Sequence, residues 1–197
     1  MNNISTLVIN DNCKLDLYSN TPITDLLPCD IIIIKIIESN TDHTIAMDCV
    51  NDLLSVLSKK LSKALTNNLK QHPSITRDLG LLLNKDFHQD TDLEYIGDFW
   101  IGNENLLWDT PSSTKPNLAT WLYNSIDDKI ILEITPIYHW HFDEPQPGER
   151  HISYEKFMET YQPLLFKTIP LEMAKQWLLQ IQKLEKQIEQ NVKLAST

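Results

Sequence analysis

The chain has 197 residues and a mass of 22.9 kDa, with 42% hydrophobic and 22% charged residues. These proportions are ordinary for a globular protein and exclude collagen-like, disordered and purely coiled-coil chains. The 27 acidic residues outnumber the 17 Lys and Arg and leave a net charge of −10, which excludes a basic nucleic-acid binder. The length predicts a single domain, residues 1–197.

The start of the chain and its cysteines favour a cytoplasmic protein. Residues 1–12 contain no Lys or Arg and no unbroken apolar stretch, so they do not resemble a secretory signal. The most apolar stretch, Ile31–Ile37, is interrupted by Lys35 and is far too short to span a membrane. The cysteines are odd in number and widely spaced, which is typical of reduced thiols: Cys13, Cys29 and Cys49.

The first third of the chain predicts strands followed by a helix. The strand candidates are short stretches rich in apolar and β-branched residues: Thr6–Ile9, Lys14–Tyr18, Ile31–Ile37 and Thr44–Cys49. From Val50 to Leu69, apolar residues recur every three or four positions, which predicts an amphipathic helix with one buried face.

The middle of the chain is aromatic and strand-like. The expected strands are Tyr95–Ile101, Leu106–Trp108, Ala119–Tyr123 and Lys129–Tyr138. The last two bracket residues 124–128 and predict an antiparallel hairpin. Because side chains alternate between the faces of a strand, Leu132 and Glu133 point in opposite directions. We expect Leu132 and Trp121 to face inward.

The last quarter predicts two helices. Ser153 suits the N-cap of a short helix over residues 154–161, and a longer helix runs from Pro170 to Val192. Strands followed by helices, without regular alternation, predict an α+β fold. We expect a mostly antiparallel sheet packed against a few helices, with a long C-terminal helix. That helix could pair with a second copy, so monomer and homodimer both remain open.

Residues 138–144 contain the sharpest catalytic alternative. On a strand, His139, His141 and Asp143 would share one face, and two imidazoles with a carboxylate suit zinc or iron. The HxHxD spacing resembles the opening of the metal motif of metallo-β-lactamase-like hydrolases, although Glu144 stands where that family has another His. A metal-dependent hydrolase is therefore the alternative function. Since no further ligands have a recognisable spacing, we expect solvated side chains in a loop, no metal or other cofactor, and no enzymatic activity.

Glu133 and the tryptophans each have a structural and a functional interpretation. Glu133 lies in an otherwise apolar strand. We expect it to face solvent from a half-exposed sheet rather than to be an acid with a raised pKa. Trp100 and Trp121 fit a core between sheet and helix, whereas Trp140 fits a core and a binding site about equally.

The distribution of charge is the most informative feature of the sequence. From Asp86 to Thr114 there are seven acids and no Lys or Arg, and from Leu53 to Arg77 there are five bases and no acid. An acidic surface near aromatic residues attracts basic proteins, although such a surface also serves solubility alone. We predict that a basic protein partner binds these acids and two candidate aromatic anchors: Asp86, Asp90, Asp92, Glu94, Asp98, Trp100, Glu104, Trp108 and Asp109.

Three stretches, Trp121–Asn124, Ile130–Pro136 and Tyr138–Trp140, carry a family likeness. This region resembles small bacterial immunity proteins of contact-dependent growth-inhibition and other polymorphic-toxin systems. The likeness covers about a quarter of the chain, residues 97–142. It implies a cytosolic, non-enzymatic protein that binds and neutralises one cognate toxin. It assigns no binding residue, because such families bind through divergent surfaces.

Overall fold

Two antiparallel sheets dominate the computed structural model, and together with its helices they confirm the predicted α+β class. The structure describes residues 1–39, 41–73, 75, 78–87, 95–96, 99–100, 102–111, 114–141, 145 and 147–196. In this part of the chain, no helix combines the length and the apolar character needed to cross a membrane.

The first sheet is a meander in which each strand pairs with the next one along the chain. Its strands are Asn2–Asn10 (β1), Cys13–Ser19 (β2), Ile31–Glu38 (β3) and Thr41–Cys49 (β4). In β2 and β3, Leu15, Leu17 and Ile34 are buried, whereas Lys14 and Lys35 lie at alternate positions and are partly exposed. This alternation puts one face of the sheet on the core. All four predicted strands are present, and each extends beyond its predicted bounds.

Two helices pack side by side against the first sheet. Val50–Leu65 (α1) begins directly after β4, and Leu171–Ala195 (α4) is the predicted C-terminal helix. The indole Nε1 of Trp177 in α4 donates a hydrogen bond to the carbonyl of Val8 in β1 (2.7 Å). Helix α1 ends before the predicted Leu69, because the chain turns at Asn67, whose φ is 58°.

The second sheet contains the predicted hairpin, and its strands are Leu106–Asp109 (β7), Leu118–Asn124 (β8), Ile130–Pro136 (β9) and Leu165–Ile169 (β10). They lie in the order β10-β9-β8-β7. The remaining elements are helices Leu79–Phe87 (α2) and Tyr154–Glu159 (α3) and two short strands, Tyr95–Ile96 (β5) and Phe99–Trp100 (β6). The sequence did not predict α2 or β10. Strands β5 and β6 pair with each other, so the predicted single strand Tyr95–Ile101 is wrong.

Both faces of the second sheet are covered, and for this reason every residue of β8 is buried. On one face, Leu122 and Leu132 join the core that the sheet shares with α1, α4 and the first sheet. On the other face, Trp121 packs with Leu79 and Leu83 of α2. Trp121 and Leu132 are therefore both inward, as predicted, but on opposite faces.

Replacement of Leu132 by Asp tests this arrangement. Leu132 has no exposed surface and lies opposite Leu122 in β8, so Leu132→Asp would bury an unpaired carboxylate. We expect the free energy of unfolding to fall by roughly 4 kcal/mol or more in urea titrations. The matched control is Leu179→Asp, at a position of α4 that is 67% exposed, where the change should be small. Equal stability of the two variants would contradict the described register.

Candidate functional site

The structure describes only part of the predicted partner-binding segment. Asp86 lies near the end of α2, Glu104 in the turn before β7, and Asp109 at the end of β7. The other acids, Asp90, Asp92, Glu94 and Asp98, lie outside the described residues. The segment therefore begins at a helix that is fixed to the second sheet, and it returns to that sheet at β7.

Glu104 brings the acidic run into contact with the basic run. Its carboxylate forms an ion pair with Lys63 of α1, and its backbone carbonyl accepts a hydrogen bond from the Lys60 ammonium. The bond from Lys63 holds the pKa of the Glu104 carboxyl below its usual range. This acid is thus neutralised within the protein. No local pattern predicts this pairing, because more than forty residues separate Glu104 from Lys60 and Lys63.

The two candidate anchors lie in different environments. Trp108 is 5% exposed and belongs to the core, so it is not an accessible anchor. Trp100 lies in β6, and its side chain is outside the described part of the structure. Next to Trp108, burial raises the pKa of the Asp109 carboxyl, and the negative charge of Asp48 adds to the rise. The anchor hypothesis therefore depends on Trp100 alone.

The histidine string is not part of a strand, because β9 ends at Pro136 and the chain then turns. His139 and His141 lie in this turn, so the strand on which they would share one face, as the metal-site alternative requires, is not formed at these residues. The Nε2 atom of His139 lies 3.6 Å from a carboxylate oxygen of Glu149, whereas Nε2 of His141 lies 3.2 Å from the amide oxygen of Asn84. Asp143 lies outside the described residues.

Among the described residues, one group of three potential metal ligands lies within 4.8 Å of one another: Asp48, Cys49 and Asp52. All three stand at the start of α1, and Asp48 accepts a hydrogen bond from the Cys49 backbone N–H (2.7 Å). Two exposed carboxylates at a helix N-terminus are stabilised by the helix dipole without an ion. Their position at the start of α1 therefore explains why these three side chains lie close together.

An aromatic cleft of about 400 Å³ opens beside the end of β9. Its buried wall is Tyr138, whose hydroxyl donates to the Ile152 carbonyl (2.9 Å) and whose ring contacts Phe157. Trp140 lines the same cleft and stacks edge-on against the His139 ring, with 5.0 Å between the ring centroids. Trp140 therefore belongs to a surface cleft and not to either of the two buried core clusters.

The carboxylate that lines the aromatic cleft lies beside basic groups, and Arg150 adds a second cation to the lining. Glu149 forms an ion pair with Lys115, and its carboxylate also lies near the His139 ring. The cleft consequently presents flat aromatic walls and no uncompensated carboxylate among these residues.

A buried carboxylate joins the second sheet to α2. Glu133, in the middle of β9, has no exposed surface. Its Oε1 accepts a hydrogen bond from the backbone N–H of Leu79 (3.1 Å), and its Oε2 accepts one from the hydroxyl of Tyr123 (2.7 Å). The N–H of Gly80 is near enough to the same carboxylate to favour its charged form. Glu133 thus satisfies backbone groups that the start of a helix leaves unpaired.

A second carboxylate holds the same helix start. Asp78 Oδ1 accepts hydrogen bonds from the Leu81 N–H (2.6 Å) and the Tyr161 hydroxyl (2.7 Å). A Cβ atom at Gly80 would collide with the side chain of Thr135 and the hydroxyl of Tyr161. Helix α2 therefore lies so close to the sheet that only glycine fits at this position.

Burial raises the pKa of Glu133 to about 7, against the opposing hydrogen bond from Tyr123. The expectation that Glu133 faces solvent is wrong, because α2 covers this face of the sheet. The signal for its burial was present: the neighbouring positions on both faces of the strand, Ile131 and Leu132, are apolar. Glu133 has no exposed surface, and its carboxyl positions the start of α2.

Comparisons of the chain with protein-family models, with curated proteins and with solved structures find no match. The function of the protein must therefore be inferred from the chemistry of its own residues.

The raised pKa of Glu133 predicts that the stability of the protein depends on pH. The folded state holds this proton up to a pH of about 7, whereas an unfolded Glu releases it near 4.5. The contribution of this proton to the free energy of unfolding is therefore complete below pH 4.5 and is lost as the pH rises through about 7. The free energy of unfolding falls by roughly 3 kcal/mol over this range.

We expect Glu133→Gln, which keeps an acceptor for the Leu79 N–H, to remove this component of the pH dependence. The measurement is the free energy of unfolding of both proteins in urea between pH 4.5 and 8. The difference between wild type and variant should change across this range. A constant difference would show that Glu133 titrates near its ordinary value.

Proposed function

We propose that this protein is a protein-binding module, a cytoplasmic immunity protein that binds and neutralises a cognate bacterial toxin. The observation that carries the proposal is the acidic segment Asp86–Asp109, which holds seven acids and no Lys or Arg. Its two ends are part of the fold, at α2 and at β7. An acidic surface attached to a rigid sheet suits the capture of a basic protein.

The chemistry of the expected partner supports the proposal. Toxins that are nucleases carry basic clefts for phosphate, and these clefts offer Lys and Arg to an inhibitor. An acidic inhibitor competes for the same groups by charge complementarity. The net charge of −10 adds a long-range attraction that accelerates the encounter.

The contribution of individual acids to binding differs with their surroundings. Glu104 already has Lys63 as its partner, so we assign it a role in holding the segment against α1. We assign the electrostatic attraction that precedes contact to Asp90, Asp92 and Glu94. We assign the hydrophobic anchor of the interface to Trp100. The protein acts as a monomer or as a homodimer in this proposal.

Charge reversal tests the acidic surface. In the variant Asp90→Lys/Asp92→Lys/Glu94→Lys, the association rate constant with a toxin domain that the wild-type protein neutralises should fall roughly tenfold at low salt. The deficit should shrink near 0.5 M salt, because salt screens interactions between exposed charges, while the dissociation rate changes little. Stopped-flow fluorescence measures both rates, and circular dichroism confirms that the variant folds.

The control variant carries the same change of charge elsewhere. Asp11, Glu159 and Glu172 are exposed and lie outside the acidic segment, and their replacement by Lys should reduce the rate much less. If wild type and the variant Asp90→Lys/Asp92→Lys/Glu94→Lys associate with equal rate constants at every salt concentration, the acidic segment serves solubility and does not bind the partner. Equal losses in both variants would indicate an effect of net charge alone.

A further inference from the structure

The aromatic cleft beside the end of β9 has apolar walls that a ligand can reach. Among its lining residues, Ile152 is 41% exposed, Pro116 is exposed, and Trp140 and Phe157 are half-buried. Most of the exposed lining is therefore carbon. A volume of about 400 Å³ with a few polar groups among aromatic walls is typical of a small-molecule site.

The cleft also contains a cation that the fold leaves without a counter-ion. Lys115 and Glu149 form an ion pair at the cleft, and His139 lies near the same carboxylate. Arg150 lines the cleft as well, and none of the described carboxylates lies within 4 Å of its guanidinium. The described lining therefore carries one positive charge in excess, in a chain whose net charge is −10.

Three polar atoms of the lining residues have no hydrogen-bond partner within the described structure: Asn117 Oδ1, His139 Nδ1 and Trp140 Nε1. Buried polar atoms in folded proteins are nearly always paired, and an unpaired one lowers stability. The three atoms have almost no exposed surface, so a polar ligand reaches them only after their side chains rotate. The protein alone thus satisfies the polar groups of this cleft only in part.

The combination of walls and charge selects one kind of ligand. A flat aromatic ring packs well against aromatic and aliphatic side chains such as Trp140, Phe157 and Ile152. A carboxylate on that ring can accept parallel hydrogen bonds from the planar guanidinium of Arg150. The carboxylate of Glu149 opposes this little, because Lys115 already compensates its charge. A cationic ligand would be repelled by Arg150 and would find no unpaired acid among the described lining residues.

We propose that the aromatic cleft binds a small aromatic carboxylate, with Arg150 as its counter-ion and Trp140 and Phe157 as the walls for its ring. This binding site goes beyond the proposed function and does not depend on it. The residues that line the cleft lie between positions 115 and 160, outside the acidic segment, and the ligand is an anion and not a basic protein.

The experiment uses 2-naphthoate as the probe and 2-naphthamide as a neutral ligand of nearly the same shape. Each compound is titrated into the full-length protein with labelled isoleucine methyl groups, and the NMR signals of Ile137 and Ile152, which both line the cleft, are followed. We expect saturable shifts of both signals with naphthoate. Naphthamide should bind roughly tenfold more weakly or less, because it lacks the charge-assisted hydrogen bonds with Arg150.

A pair of variants separates the contact with Arg150 from the effect of net charge. Arg150 is exposed, so Arg150→Gln should fold as wild type does, which circular dichroism checks. This variant should bind naphthoate roughly tenfold more weakly and should bind naphthamide with unchanged affinity. The matched control is Lys156→Gln, which removes one positive charge from an exposed position of α3 outside the cleft lining and should have no effect.

Four results would overturn the inference. Naphthoate could fail to saturate the signals of Ile137 and Ile152, or naphthamide could bind as tightly as naphthoate. Unchanged binding of naphthoate by Arg150→Gln would show that the guanidinium is not the counter-ion. Equal losses in Arg150→Gln and Lys156→Gln would show that naphthoate responds to net charge alone.

Discussion

The contact between the Glu133 carboxylate and the first backbone N–H groups of α2 determines how the second half of the chain is arranged. It holds a helix against a sheet that would otherwise expose Trp121 and Tyr123. Because α2 covers this face, β8 is buried along its whole length. The acidic segment begins where α2 ends, so the same contact fixes the start of the proposed binding surface. A buried acid thus connects the core to the proposed function.

The acidic excess of the chain is divided among three environments. Glu133 and Asp78 are used within the fold, where they accept hydrogen bonds from the start of α2. Glu104 is neutralised by α1. Glu185 and Glu189 line a surface cleft that Lys193 also lines. An acid that the fold has already neutralised offers less to a partner of opposite charge.

Local periodicity predicted most of the elements, and long-range contacts account for what it missed. The strands of the first sheet and the faces of β9 follow from alternation, and α4 follows from its apolar repeat. Helix α2 was missed because Leu79–Phe87 is short, although Asp78 directly before it is a capping residue, and β10 was missed because Leu165–Ile169 lies between two prolines. The burial of Glu133 depends on α2. Because α2 was not predicted, Glu133 was wrongly expected to face solvent. The packing of α1 against α4 brings together residues more than 100 positions apart, such as Leu54 and Ile188, which no local pattern reveals.

The most direct test of this account is the amide hydrogen exchange of α2 in wild type and in Glu133→Ala, followed by NMR at one pH. Loss of the carboxylate leaves the N–H of Leu79 without its acceptor. The account predicts that the amides of residues 81–87 exchange roughly tenfold faster or more in the variant, while protection in β8 and β9 falls less. Unchanged exchange in α2, or an equal loss of protection in α2 and in both strands, would contradict the claim that Glu133 holds this helix in place.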